Sequence, residues 1–346
     1  MAHTQPPPTL AQVPLNPKDR PHYTPSQLAT YFTRIHLPAA ALSSPIISTP
    51  SPPLARSTTH GLPLLRALTT HHLAAIPFEN LELHYSAHKT ISLNASALFH
   101  KFADRGIKYG RGGRCMENNG FFGTVLRSLG YDVRNCAGRV SRAMSPIKDV
   151  REQQGQTYDG WNHMLNLVRL DGEWWVVDVG MGAMGPNVVY PLQDGIELES
   201  IPPRLIRLQK RRIPESYDEA GKLWCFDVCH KPHAGERVWT PTYCFTETEF
   251  LPQDYEMMSY FTSTNRKCFF TYSLVCTKML LEGGEKIVGD VTLFNDVVRK
   301  NVGEKREVLR MLGTEEERVG ALREVFGVEL TEEEREGLRG DLRLRA

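Results

Sequence analysis

The spacing of apolar positions changes character along the chain, and the changes divide it. Gln27, Leu28, Tyr31, Phe32 and Ile35 fall at helical spacing, and Leu62 to Ala74 carries a second such stretch that ends before Pro77. Phe121, Phe122, Val125, Leu126 and Leu129 form a third, with Gly130 as its stop. From Asp132 to about Phe250, short apolar, β-branched and aromatic runs alternate with turn signals and predict strands. The C-terminal part mixes strands, expected over Cys268–Leu281 and Lys286–Leu293, with two helices. Thr314 with Glu317 and Thr331 with Glu334 have the spacing of capping boxes. Val319, Leu322, Val325 and Phe326 form the buried stripe of the first of these helices. Helices, then strands, then a mixture predict an α+β chain divided at 1–20, 21–131, 132–250 and 251–346. Residues 1–20, with Pro6-Pro7-Pro8, read as an extended or disordered tail. Residues 43–57, with four prolines and five serines, read as an inserted loop, and 200–217 as a surface excursion.

Composition narrows the function classes. The chain has 346 residues, 41 basic and 40 acidic, for a net charge of +1. That balance gives no global field for nucleic acid or a membrane surface. No apolar run is long enough to span a bilayer, and the start lacks a charged-then-apolar leader, so a cytoplasmic protein is expected. Seven cysteines, an odd number, read as reduced thiols. Asn94-Ala-Ser96 fits a glycosylation acceptor, a match attributed to chance.

The chemistry concentrates in Arg111-Gly-Gly-Arg-Cys115-Met-Glu117-Asn-Asn119. A glycine-rich turn delivers Cys115 to the start of the third helix. There the free N–H groups and the helix dipole favour a thiolate. A cysteine nucleophile needs a base, and often a third group that orients it. Trp161 to Leu170 reads as a strand, Asp171-Gly172 as a two-residue hairpin turn and Glu173 to Gly180 as the return. Pairing Leu170 with Glu173 sets Leu165 opposite Asp178. His163 and Asp178 then become diagonal neighbours on one face, roughly 7–8 Å apart at Cα. A buried aspartate ending the run Trp-Trp-Val-Val is costly without a partner, and the register supplies one. Cys115, His163 and Asp178 are therefore the candidate nucleophile, base and orienting acid. Arg111 and Glu117 are expected to brace the turn through an ion pair or capping contacts.

Other signals carry less. Cys225-x3-Cys229-His230-x2-His233 has metal-like spacing, but Cys229 and His230 point to opposite faces of a strand, and no metal is expected. Arg204 to Arg212 reads as a solvated basic face, with a grip on coenzyme phosphates as the alternative. His71-His72 lacks a matching ligand pair. Cys136, Cys244, Cys268 and Cys276 are expected in strands.

Taken together, the residues resemble the arylamine N-acetyltransferases. The Arg-Gly-Gly-x-Cys-x-Glu-x-Asn pattern stands at 111–119, and the family's Pro-Phe-Glu-Asn-Leu element at Pro77–Leu81. The histidine strand stands at Trp161–Val168 and the aspartate–glycine segment at Val177–Gly182. The long loops look fungal. The resemblance implies an N-terminal helical bundle, a central β-barrel and a C-terminal α/β lid around a cysteine-protease-like catalytic core. It also implies a Cys-His-Asp triad and an acyl-coenzyme A donor (acetyl, or malonyl or propionyl). It implies an arylamine, hydrazine or N-hydroxyarylamine as the acceptor, and no metal, nucleic acid or membrane partner is expected. Phe78 and Met181 would line the amine pocket, and Asp159 and Gly160 would lie beside the coenzyme. Position 181 is often phenylalanine in the family; the methionine here makes a softer wall. A thiol hydrolase or transglutaminase shares the Cys-His-Asp order but lacks the Pro-Phe-Glu-Asn-Leu element. A non-catalytic protein of the same fold would not need an intact triad.

Overall fold

A computed structural model describes residues 19–49, 51–233, 235–338 and 340–344. The proline-rich stretch at 1–20 lies outside the described residues except for Asp19 and Arg20.

Local chemistry explains where the helices begin and end. Pro25–Arg34 starts at Thr24, whose Oγ1 accepts from Gln27 N (3.2 Å) while Gln27 Oε1 accepts from Thr24 N (2.9 Å). The second long helix is Gly61–Ala75 and the third is Cys115–Ser128; Gly130, at φ 93°, ends the latter. Their inner faces meet around Phe121, whose ring lies 5.2–5.4 Å from those of Tyr23, Tyr31 and Phe102. Residues 43–49 and 51–57 are not simply a loop. They hold the one-turn helices Pro45–Ser48 and Pro52–Ala55, which bury Ile46 and Ala55. Proline at the first helical position and a serine before it start such turns readily, so a Pro/Ser-rich stretch need not be a loop.

The described residues hold thirteen strands: β1 (Phe78–Glu79), β2 (Asp132–Val140), β3 (His163–Leu170), β4 (Glu173–Val177), β5 (Tyr190–Pro191), β6 (Glu197–Glu199), β7 (Leu205–Arg211), β8 (Leu223–Cys229), β9 (Thr240–Glu249), β10 (Val275–Glu282), β11 (Lys286–Phe294), β12 (Val297–Val302) and β13 (Lys305–Met311). One sheet has eight strands in the order β5-β4-β3-β2-β9-β8-β7-β6. The expected β-barrel takes the form of this sheet, in which, among the described residues, no ladder joins β5 to β6. The other sheet has five strands in the order β1-β10-β11-β12-β13 and takes β1 from the N-terminal helical part.

The β3–β4 hairpin has the expected register: Leu170 pairs with Glu173 and Asn166 with Val177. Asp171 (φ 47°) and Gly172 (φ 90°) both take the left-handed conformation that such a tight turn requires. Only the end of the stretch 200–217 is a surface excursion, with Tyr217 fully exposed. It contains β7, which sits between β6 and β8 with Ile206 and Leu208 buried. Its arginines are only partly solvated: Arg207 and Arg211, with side chains 23% and 35% exposed, both bind the buried Asp227. Residues 269–271 form a 3-10 turn, so the expected strand at Cys268 begins only at Val275 and Cys268 lies outside it. Both C-terminal capping boxes form, on helices Glu315–Ala321 and Glu332–Glu336. Asn94 caps the Ala95–Phe99 helix, its Oδ1 accepting from Ser96 N (2.9 Å). All seven cysteines are free. No helix among the described residues is long and apolar enough to cross a membrane.

His72 joins the helical core to the cysteine turn. It is fully buried, its Nδ1 accepts from the Tyr31 hydroxyl (3.1 Å), and its Nε2 donates to Asn118 Oδ1 (3.2 Å). Burial drives its pKa from 6.5 down to about 3, against the Asn118 hydrogen bond. The unfolded chain therefore takes up this proton first as pH falls. The ring's contribution is complete above pH 6.5 and declines as pH drops toward 3. At pH 5 the loss from this one ring is about 2 kcal/mol. Urea midpoints for wild type and His72→Gln at pH 7.5 and pH 5 test this. The wild type is expected to lose more stability on acidification than the variant, by about that amount; equal losses would contradict it.

Candidate active site

The cysteine turn is held from both sides. Pro77, Phe78 and Glu79 run against it, and a Cβ on Gly112 would lie 1.9 Å from the Pro77 carbonyl oxygen, so only glycine fits. Glu79 N donates to Gly113 O (3.0 Å), and Glu79 Oε1 accepts from Gly112 N and Arg111 Nε, both at 3.1 Å. Arg111 also binds Glu334. Asn80 anchors this brace to the second sheet: its Nδ2 donates to Ser273 O (2.8 Å) and its Oδ1 accepts from Val275 N (2.9 Å). Glu117 Oε2 caps the helix by accepting from Arg114 N (2.9 Å), and Lys101 Nζ donates to its Oε1 (2.7 Å). Arg111 and Glu117 therefore both brace the turn, each with a separate partner and not with the other.

Cys115 is the first residue of its helix and is 7% exposed. Its Sγ lies 3.7 Å from Asn162 O, immediately before His163. His163 opens β3, and Asp178 follows the last residue of β4. His163 Nε2 and Asp178 Oδ2 are 2.8 Å apart, at exposures of 1% and 2%. The second carboxylate oxygen is also occupied: Asp178 Oδ1 accepts from Asn119 Nδ2 (2.9 Å) and Gly180 N (2.8 Å). The Tyr243 ring packs 4.9 Å from the imidazole.

The electrostatics follow from these contacts. Burial alone would lower the His163 pKa. The Asp178 charge and hydrogen bond, with a hydrogen bond from the ring to Cys115, outweigh it and raise the pKa to about 10. Burial alone would raise the Asp178 pKa; the His163 charge, the His163 and Asn119 hydrogen bonds and the Gly180 N–H outweigh it and hold the carboxyl below its usual range. With Nε2 committed to Asp178, Nδ1 is the nitrogen left for the sulfur. An imidazolium beside a thiol at a helix start is an arrangement suited to nucleophilic attack.

The sequence reading assigned no role to Asn119. It stands four residues after Cys115 and so shares its helix face. Besides holding Asp178, its Nδ2 donates to Met164 O (2.6 Å) and its Oδ1 accepts from Val179 N (3.0 Å). The i, i+4 spacing from the cysteine was the available signal. Gly180 is the second close approach: a Cβ there would lie 2.7 Å from Cys115 Cα.

Phe78 and Met181 flank the segment that touches the cysteine helix at Gly180: Met181 packs against the core of the eight-stranded sheet. Met181 follows Gly180, and a Cβ on Gly182 would touch the Phe78 ring at 3.3 Å. Phe270 adds a second ring, 6.1 Å from Phe78. Asp159 and Gly160 are exposed on the loop leading into His163, and the Asp159 carboxylate already accepts from Arg142 Nε (3.2 Å). Arg204 is buried, not part of a solvated face; it donates to the carbonyls of Ala183 and Gly185 (2.6 and 3.0 Å) and so fixes the loop after Met181.

Comparison with known proteins identifies the family. A family model described as N-acetyltransferase matches residues 61–335. An N-malonyltransferase of Fusarium pseudograminearum (strain CS3096) is 57% identical over 304 residues, covering 86% of this chain and 87% of that protein. The arylamine N-acetyltransferase / N-hydroxyarylamine O-acetyltransferase of Salmonella typhimurium is 30% identical over 264 residues, 75% of each chain. The solved structure of Mycobacterium marinum arylamine N-acetyltransferase in complex with CoA superposes with a TM-score of 0.69 at 25% identity, covering 91% of this chain and 98% of that one. The mixed helices and open sheet described above are the fold of those enzymes, and the chain is an N-acyltransferase belonging to the arylamine N-acetyltransferase family.

Proposed function

We propose that the protein moves an acyl group from coenzyme A to an arylamine, hydrazine or N-hydroxyarylamine through an acyl-Cys115 thioester. The observation that carries this reading is the buried His163–Asp178 pair, hydrogen-bonded onward to a cysteine at a helix start. Cys115 is the nucleophile, His163 the proton carrier and Asp178 the acid that orients it. The thiolate attacks the thioester carbonyl, and the Cys115 backbone N–H, at the first position of the helix, faces the developing oxyanion. The tetrahedral adduct collapses to acyl-Cys115, and His163 gives its proton to the departing coenzyme sulfur. The amine then attacks the acyl-enzyme. His163 takes up the amine proton, and the Cys115 sulfur leaves as thiolate. This is a ping-pong cycle.

The name of the Fusarium relative favours malonyl-coenzyme A over acetyl-coenzyme A as donor. Phe78, Met181 and Phe270 suit a flat aromatic amine. Asp159 and Gly160, exposed beside the entry to β3, are placed along the coenzyme. The helical part (21–131), the open sheet (132–250) and the α/β lid (251–346) then divide the labour. The first carries the cysteine, the second the imidazole and carboxylate, and the third covers them, the arrangement of a cysteine-protease-like core. Free thiols throughout suit a cytoplasmic setting.

Incubation with malonyl-coenzyme A and no amine is expected to add one malonyl group, which intact mass locates on Cys115 and which Cys115→Ala abolishes. Double-reciprocal plots against aniline are expected to be parallel. Intersecting lines with no adduct would remove the covalent intermediate.

Asp178→Asn is expected to slow single-turnover acylation on the order of 10²–10⁴-fold. Asn119→Ala, which removes a hydrogen bond to that carboxylate, is expected to slow it on the order of 10-fold. His163 stays protonated until pH rises through about 10, so the alkaline limb of wild-type acylation lies near there. In Asp178→Asn that limb is expected to move toward the ordinary histidine value. An unshifted limb would show that the carboxylate does not set the charge on the ring.

A further inference from the structure

Arg34, in the last turn of the Pro25–Arg34 helix, is 9% exposed and has no counter-charge. Its Nε is sealed from solvent without an acceptor, and among the described residues no carboxylate pairs with the guanidinium. A helix C-terminus favours a cation but supplies only a partial charge. Lys278, half-buried on β10, has a single acceptor, the Phe326 carbonyl oxygen at 3.3 Å, and likewise no carboxylate among the described residues. Buried charges are ordinarily paired, because desolvation otherwise goes uncompensated. One water would satisfy a stray N–H but would leave both charges in place; a bound anion answers the N–H groups and the charges together.

Contacts across one seam bring the two cations together. The Nε side of Arg34 packs on Gly106, where a Cβ would come within 3.1 Å, which leaves the Nη groups as the outward end. Gly106 O accepts from Gly110 N (2.9 Å), and Gly110 sits on the Gly327 carbonyl, whose oxygen a Cβ would meet at 1.8 Å. Lys278 Nζ lies 3.9 Å from where a Cβ on Gly327 would stand. The electrostatics agree with this layout. Burial lowers the Arg34 pKa to about 10, and only the Tyr31 hydroxyl opposes it. Burial, then the Arg34 charge, lowers the Lys278 pKa, and only the Cys276 thiol opposes them. Burial keeps Tyr31, Cys276 and His72 neutral at pH 7, so these neighbours supply no negative charge.

We propose that Arg34 and Lys278 form a binding site for a small oxyanion of the phosphate or sulfate class, at the seam where the first helix, the Gly106–Tyr109 turn and the Phe326–Val328 segment meet. Two cations carried on separate elements suit an ion with several acceptor oxygens better than a halide. The bound ion bridges Arg34 to Lys278 and so ties the helical part to the C-terminal part. Gly110 leads directly into Arg111, so the same tie steadies the entry to the cysteine turn. The site is separate from the chemistry at Cys115 and does not depend on the acyl transfer proposed above.

The test titrates full-length wild type, Arg34→Gln, Lys278→Gln and Lys278→Arg with sodium phosphate, and with sodium chloride at matched ionic strength, reading the thermal midpoint. The wild-type midpoint is expected to rise saturably in phosphate, beyond its response to chloride. Lys278→Gln is expected to weaken the apparent Kd for phosphate on the order of 10–100-fold. Lys278→Arg, which keeps the charge, is expected to retain most of the affinity. Lys278 is half-buried, so its variants keep the proposal testable if Arg34→Gln fails to fold. A wild-type midpoint that moves no more in phosphate than in chloride, or equal phosphate affinities in wild type and Lys278→Gln, would overturn the proposal. Coenzyme A binding to Lys278→Gln, measured by calorimetry without phosphate, is expected to stay within about twofold of wild type. A larger loss would assign the cation to the phosphates of the coenzyme and overturn the separate site.

Discussion

A carboxylate and an imidazole held 2.8 Å apart, almost out of reach of water, set the constraint that the surrounding structure serves. Burying such a pair is expensive, and mutual attraction offsets the desolvation only when the remaining lone pairs are also satisfied. Here they are: Asn119 and Gly180 complete the shell of Asp178, and Cys115 takes the far side of the ring. The carboxylate favours a protonated imidazole beside the sulfur, and the cost is borne by contacts that have no chemistry of their own.

Those contacts explain why residues far apart in sequence share one site. The Cys115–Ser128 helix carries both Cys115 and Asn119, so a single rigid element fixes the sulfur and the carboxylate together. The Pro77–Asn80 segment braces the cysteine turn and then pairs, as β1, with the second sheet. The Pro252–Thr264 helix closes the other side through Arg114. Each of the three regions of the chain therefore contributes a wall, and none makes the site alone.

Much of this was legible because the chemistry follows short-range rules. Asp171-Gly172 is a two-residue turn signal, and that signal fixed the register that makes His163 and Asp178 neighbours. The glycines before Cys115 and the apolar stripe after it marked a helix start. What stayed hidden depends on contacts without a local period. The bond between Lys101 and Glu117 joins two helical segments that no pattern aligns. The arginines of β7 read as a solvated face until Asp227, on the next strand, appeared as their partner. Which strands end the large sheet is likewise a matter of long-range pairing, and strand count does not reveal it.

The central claim is that the imidazole carries its proton at neutral pH because of the carboxylate behind it. Nitrogen-15 NMR of the histidine rings, with His163 assigned by its loss in His163→Gln, reads that charge directly. The account predicts two protonated ring nitrogens on His163 at pH 8 in the wild type, and a neutral ring at the same pH in Asp178→Asn. A neutral wild-type ring at pH 8 would contradict it.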